Sequence, residues 1–167
     1  MKNNKFSKGF SRNIWIMLVM ALILGAAFWS VGGSRILDYA PYYIKKVTGD
    51  TAQVTIRNNI YDVEIAQTPA ARVKGLSARN YLPPGKGMLF IFEEEDYYAF
   101  TMEDTEISLD IIWILDNKIV DMKSRAQPGE AVITPLNKAN YVLEIGSGNI
   151  EVGGFKVDDE VEITFDN

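Results

Sequence analysis

The sequence predicts an all-β sandwich or barrel with one or two short helices, preceded by a single N-terminal transmembrane helix. Three observations predict this. Ile14 to Gly33 is an uninterrupted run without a charge. From residue 51 onward, short apolar-rich segments recur at close intervals between turn residues, the pattern of a sandwich or barrel. Only one later segment carries clear helix start and stop signals. A parallel α/β sheet would need crossovers of about a dozen residues between its strands, so it is disfavoured.

The apolar run follows Lys2, Lys5, Lys8 and Arg12, with no acid among them. A helix over it is roughly 30 Å long, the thickness of a bilayer's hydrocarbon core. Trp15 and Trp29 fall near its two ends, where indole rings suit the interface. The cationic flank places residues 1–13 in the cytoplasm, residues 14–33 in the membrane and the remainder on the extracytoplasmic side of the cell membrane. A cleaved signal peptide is the competing expectation. It shares the basic start, and small residues stand at Gly25-Ala26-Ala27 and Val31-Gly32-Gly33, but its apolar core usually spans only about 7–15 residues. No cysteine follows the run, which excludes an N-terminal acylated lipoprotein. Residues 34–50 read as a juxtamembrane linker in which Tyr39, Tyr42, Tyr43, Lys45 and Lys46 suit a headgroup layer.

Beyond the four leading cations, 13 Lys and Arg face 22 Asp and Glu. This balance repels phosphate backbones, so nucleic acid is not an expected partner. The chain has no histidine and no cysteine. Ser-His-Asp triads, cysteine nucleophiles, His-ligated zinc, His-bound haem and disulfides are therefore excluded. Carboxylate, Lys, Ser, Thr or Tyr chemistry remains, and residues 51–167 suffice for one domain held by its own core.

Thr51 to Arg57 and Ile60 to Ala66 alternate apolar and polar side chains around Asn58-Asn59, a hairpin signal. Thr68-Pro69 is a cap followed by a first-turn proline, and Gly75 limits the helix they start to about two turns. Gly87 to Phe92, Tyr97 to Glu103, Leu109 to Leu115, Lys118 to Lys123, Tyr141 to Ile145 and Glu160 to Phe165 read as further strands. Asp116-Asn117 joins two of them in a hairpin. GMLFIF and DIIWIL are apolar on both faces, as strands in mid-sheet are. Gly146 to Gly154 has room for one short helical turn.

The segment TPAARVKGLSARNYLPPGKGMLFIFEEEDYYAFTMEDTEISLDIIWI resembles the DUF192 family, whose pattern runs T-x-x-x-R-x-x-G-L-M-x-R-x-x-L-x-x-x-x-G-M-L-F-x-F, then F-W-M-K-N-T-x-x-P-L-D-I-x-F. Thr68, Arg72, Gly75, Leu76, Arg79, Leu82, Gly87 to Phe90, Phe92, Phe100, Met102, Thr105 and Leu109 to Ile111 carry the match. The tail YVLEIGSGNIEVGGFKVDDEV is similar to the family's strand, short helix and G-x-x-x-G-D-x-V ending, so the resemblance covers about residues 51–165. It implies an all-β fold with a small helix and, the family's function being unknown, leaves the biochemistry open. Departures are Glu103-Asp104 in place of Lys-Asn, Ser108 in place of Pro, and Thr101 where an aromatic residue is usual.

Asp110 draws attention because it interrupts an apolar strand, where an unpaired carboxylate costs several kcal/mol. Arg72 and Arg79 are its natural partners. A buried Asp-Arg pair or a carboxylate accepting backbone amides as a structural brace is the leading expectation, and binding of a polar ligand in a pocket with Thr105 and Met102 is the alternative. The tentative binding set is therefore Arg72, Arg79, Met102, Thr105 and Asp110, with no catalytic residue assigned. Glu93 to Asp96 with Glu103, Asp104 and Glu106 forms an acidic patch whose spacing fits no calcium loop, and it reads as a solvated turn. Met88 and Met102 read as core rather than copper ligands, and Gly85-Lys86-Gly87 lacks the phosphate-loop pattern. No metal and no cofactor is expected.

The function these features predict is a binding or accessory domain of the cell envelope. Its expected partners are membrane lipid through residues 14–33 and either a small polar ligand or an envelope protein. The alternatives are an enzyme using Asp110, Thr105 and Arg72, or an accessory subunit whose Gly25-Ala26-Ala27 surface packs on partner helices.

Overall fold

A computed structural model describes residues 50–166. The expected basic N-terminus (1–13), membrane helix (14–33) and all but the last residue of the linker (34–50) lie outside the described residues. Among the described residues, no helix is long and apolar enough to cross a membrane.

The domain is mostly β. Its strands are β1 (Thr51–Ile56), β2 (Asn59–Ala66), β3 (Lys86–Asp96), β4 (Leu109–Leu115), β5 (Lys118–Ala126), β6 (Ala139–Gly146) and β7 (Val161–Phe165), with short helices α1 (Pro69–Lys74) and α2 (Asn149–Gly153). They form one seven-stranded sheet in the order β5-β4-β6-β3-β2-β1-β7. The sheet curls until its ends meet. Lys118 bridges Glu160, Ile119 N–H donates to Asp159 O at 3.0 Å, and Val161 N–H donates to Asn117 O at 2.8 Å. Of the barrel and sandwich expected, the chain thus builds a curled, partly closed barrel.

β3, β4 and β6 are apolar on both faces because each side of the sheet is covered. Leu89, Ile112 and Leu143 point into the curl with Val54, Ile56, Val63 and Ile114. Phe90, Trp113 and Val142, one residue along, point outward into a second core with Met88, Ile111, Leu76, Met102 and Ile133. Full burial of a side chain of this size contributes about 1.5–3 kcal/mol. α1 and the long connections after β3 and β5 supply the outer cover.

Three local expectations need correction. The first hairpin turns on Arg57-Asn58, since Ile56 pairs with Asn59. Arg57 takes the positive φ of 54°, and its guanidinium is held by Asp159 through two bonds of 2.7 and 2.9 Å. The second hairpin turns as expected, with φ of 50° and 60° at Asp116 and Asn117, the signature of a type I′ turn. Glu93 to Asp96 is the exposed end of β3 rather than a turn. Tyr97 to Glu103 is not a strand but a segment crossing the outer sheet face, joined to the next connection at the Phe100–Ile133 bridge. Its inward Tyr98, Phe100 and Met102 produce the same period of two that a strand would. Finally, β2 and β3 pair in parallel through the α1 crossover, while the other pairings are antiparallel.

Gly87 on β3 sits where a Cβ would come within 2.5 Å of Glu144 O and 3.3 Å of Val63 Cγ1. The obstacle is backbone, which cannot swing aside. Gly87→Ala is expected to destabilise the domain by about 1–3 kcal/mol, the usual cost of overpacking. A urea unfolding curve with an unchanged midpoint would count against this close strand approach.

Candidate functional site

α1 begins where Thr68 Oγ1 accepts the Ala71 amide at 3.1 Å, with Pro69 in the first turn. It ends at Gly75, whose φ of 46° is easiest for glycine. This short helix stands off the sheet. Arg72 fastens it: Nη1 donates to Gln67 O at 2.7 Å and to Ile91 O at 2.9 Å, and the guanidinium lies 5.0 Å from the centre of the Phe92 ring. Phe92 stacks on Tyr98 at 3.5 Å. Tyr98 hands the order on to the crossing segment, its hydroxyl donating to Glu94 O at 2.7 Å and its carbonyl accepting Trp113 Nε1–H at 2.8 Å. Phe100 meets Phe90 edge-on at 4.9 Å. At the far end, Ala78 N–H donates to Asp104 O at 3.1 Å, tying the exit of α1 to the same segment.

Between these elements lies a cavity of about 350 Å³, within the size range of small-molecule sites. Arg72, Lys74, Leu76 and Ser77 line it from the helix side, Phe90 and Phe92 from β3, and Tyr98, Phe100, Asp104 and Thr105 from the crossing segment. Glu144 of β6 forms its floor. In the ladder Glu144 faces Met88 of β3 and Ile111 of β4, so the sheet around it is apolar. The residue is 4% exposed, and its carboxyl has no hydrogen-bond or ion-pair partner among the described residues. Burial alone pushes its pKa from the ordinary 4.5 up to about 8. At neutral pH the floor is therefore mostly a neutral carboxylic acid, able to donate as well as accept a hydrogen bond.

The residues singled out from sequence divide. Arg72 and Thr105 line the cavity. Met102 is fully buried in the outer core, and its backbone ties the crossing segment to the next connection through Glu130 O at 2.8 Å and Gly129 N at 2.8 Å. Arg79 makes a two-bond pair with Glu64, both contacts 2.7 Å. That pair holds the Glu64 carboxyl below its usual range.

Asp110 is fully buried but pairs with neither arginine. Its Oδ1 accepts Arg125 N at 2.8 Å and Gly148 N at 3.1 Å, and Oδ2 accepts Ile150 N at 2.8 Å. The alternation of β4 turns it to the inner face with Ile112, away from the cavity. There it braces the β5 bend at Arg125 (φ 54°) and the entry of α2. Neighbouring contacts support this brace: Asn149 Nδ2 donates to Gly146 O at 2.6 Å, and Glu151 pairs with Arg125 at 3.2 Å and accepts from Ser124.

Glu144 is the residue the sequence reading missed, although a signal existed. It interrupts YVLEIG as Asp110 interrupts LDIIWIL, a single carboxylate in a strand apolar on both faces.

The DUF192 family model, described as an Uncharacterized ACR, matches residues 52–163. The chain belongs to the DUF192 family. None of the curated proteins compared matches it. Two crystal structures are similar to this DUF192 domain. One, from Sinorhizobium meliloti 1021 and provisionally described as a transcription regulator, is 31% identical with a TM-score of 0.63, covering 67% of this chain and 91% of its own. The other, a protein of unknown function from Novosphingobium aromaticivorans DSM 12444, is 32% identical with a TM-score of 0.63, covering 67% of this chain and 83% of its own. Both structures share the fold of this DUF192 domain.

Proposed function

We propose that the DUF192 domain is a small-ligand-binding module, held on the extracytoplasmic face of the cell membrane by residues 14–33, that binds a polar molecule without turning it over. One observation carries the binding half: a buried carboxyl at Glu144, without a partner among the described residues, opens into a cavity of about 350 Å³. A carboxyl largely withdrawn from water is costly, and a ligand that hydrogen-bonds it recovers part of that cost. Arg72 and Thr105 are the sequence-predicted residues placed to help. Met102, Arg79 and Asp110 support the cover, the β2 side and the α2 entry. The membrane half is supported by the uncharged run and its cationic flank.

Calorimetric titration of the full-length chain in detergent with a panel of small polar molecules tests the binding half. Binding is expected that Ser77→Trp, which fills the cavity, abolishes, with the ligand recovered unchanged by NMR. Binding insensitive to that substitution, or no binding at all, would overturn it. Protease added to intact cells is expected to digest the domain, and protection until the cells are permeabilised would reverse the orientation.

A second reading is an enzyme using Glu144 as general acid or base, favoured by a carboxyl pKa near neutrality. Steady consumption of a panel molecule, lost in Glu144→Gln, would decide for it.

A further inference from the structure

We infer that the ligand class of this cavity is a small organic ammonium, seated with its cationic nitrogen on Glu144 and its carbon skeleton against the rings of Phe90, Phe92, Tyr98 and Phe100. This rests on the binding-module reading above and specifies its ligand.

Once ionised, Glu144 offers the cavity two carboxylate oxygens that have no hydrogen-bond partner among the described residues. The missing complement is thus a group rich in N–H donors, and an ammonium brings three. The rings lining the cavity supply apolar cover for a carbon skeleton. The surroundings point the same way. Glu93, Glu94, Glu95 and Asp96 lie between the lining residues Phe92 and Tyr98, and Glu103, Asp104 and Glu106 flank Thr105 in the crossing segment. These carboxylates give the approach a negative field that concentrates cations.

The charged and titratable groups that share the cavity with Glu144 are few. α1 contributes Arg72 and Lys74, and the crossing segment contributes Tyr98 and Asp104. Among the ladder neighbours, β3 presents Met88 and Phe90, and β4 presents Ile111, none of which titrates in water. Arg72 Nη1 is occupied by two carbonyls and its plane by Phe92. Glu144 is shifted by desolvation, and neither cation forms an ion pair with it.

Ammonium binding has a signature that a neutral ligand lacks. The empty floor is protonated at neutral pH, so each cation bound releases one proton from Glu144 to solvent. Affinity for an ammonium therefore rises with pH by about tenfold per unit up to about 8 and then levels. A hydroxyl ligand bound to the neutral acid weakens above the same point.

The test titrates the full-length chain in detergent at pH 6, 7, 8 and 9 with benzylamine, benzyl alcohol and benzoate, which share a ring and differ in charge. Benzylammonium is expected to bind with that slope between pH 6 and 8, and Glu144→Gln to weaken it on the order of 30-fold or more. The wild-type slope stands without the variant, should Gln be poorly tolerated. Binding of benzyl alcohol or benzoate that requires Glu144, without benzylammonium binding, overturns the ammonium assignment and leaves the module reading standing. Absence of Glu144-dependent binding by all three also overturns the assignment. The module reading falls separately, when the panel gives no binding that Ser77→Trp blocks.

Discussion

Asp110→Ala is expected to cost the domain on the order of 4–6 kcal/mol, a large share of the 5–15 kcal/mol that holds a typical domain together. The carboxylate accepts three backbone amides, from Arg125, Gly148 and Ile150. Alanine leaves all three without partners in a site closed to water. Asp110→Asn is expected to be milder, at about 2 kcal/mol, because its oxygen still satisfies one side while its NH2 confronts an amide on the other. Urea unfolding of both variants checks the order. Equal and small losses would mean that water or a backbone shift replaces the brace. A large loss also guards against misreading activity data, since an inactive Asp110 variant would then be an unfolded one.

Glu144→Gln is expected to remove most of the pH dependence of stability between pH 4.5 and 8. Burial raises the folded-state pKa from 4.5 to about 8, so the folded domain keeps a proton that the unfolded chain gives up across that window. The contribution is fully present below about pH 4.5 and falls by about 1.4 kcal/mol per unit as pH rises. In total about 5 kcal/mol is lost by the time pH passes 8. The lowered carboxyls Asp62, Glu64, Glu130, Glu151 and Asp159 act in the opposite sense and at lower pH, where they lose stability on acidification. The difference between wild type and variant, measured by denaturant unfolding at pH 5, 6, 7 and 8, therefore isolates Glu144. The variant should gain on the wild type at each step upward. Parallel curves would show that Glu144 is solvated or paired in solution, and the binding proposal would lose its main support.

The sheet was legible where local chemistry and burial agreed. Thr68-Pro69 and Gly75 bounded α1, Asp116-Asn117 made its turn, and LDIIWIL was a central strand. Position 57 was not legible, because Arg57 adopts an unfavourable φ only through a partner 102 residues away. Nor was the crossing segment, whose inward aromatics mimic a strand although its backbone pairs at one bridge. The parallel β2–β3 pairing was hidden because it needs only one short crossover. At the site, the sequence marked Asp110 as a carboxylate in an apolar strand but not which face it would take. One residue of register sends it inward to backbone amides and sends Glu144, on the neighbouring strand, outward to the cavity.

The curl of the sheet has a further consequence for life at high local concentration. The outermost strand β5 meets β7 at one end, and further along its rim is occupied: Asn137 Nδ2 donates to Val120 O at 2.9 Å and Asp121 Oδ2 accepts Leu136 N at 2.6 Å. The Val120 carbonyl is thereby unavailable for recruiting a strand from a neighbouring copy, the common route to aggregation, and the 136–137 backbone lies along the same rim. A neighbouring copy that meets this stretch of β5 finds its rim already covered.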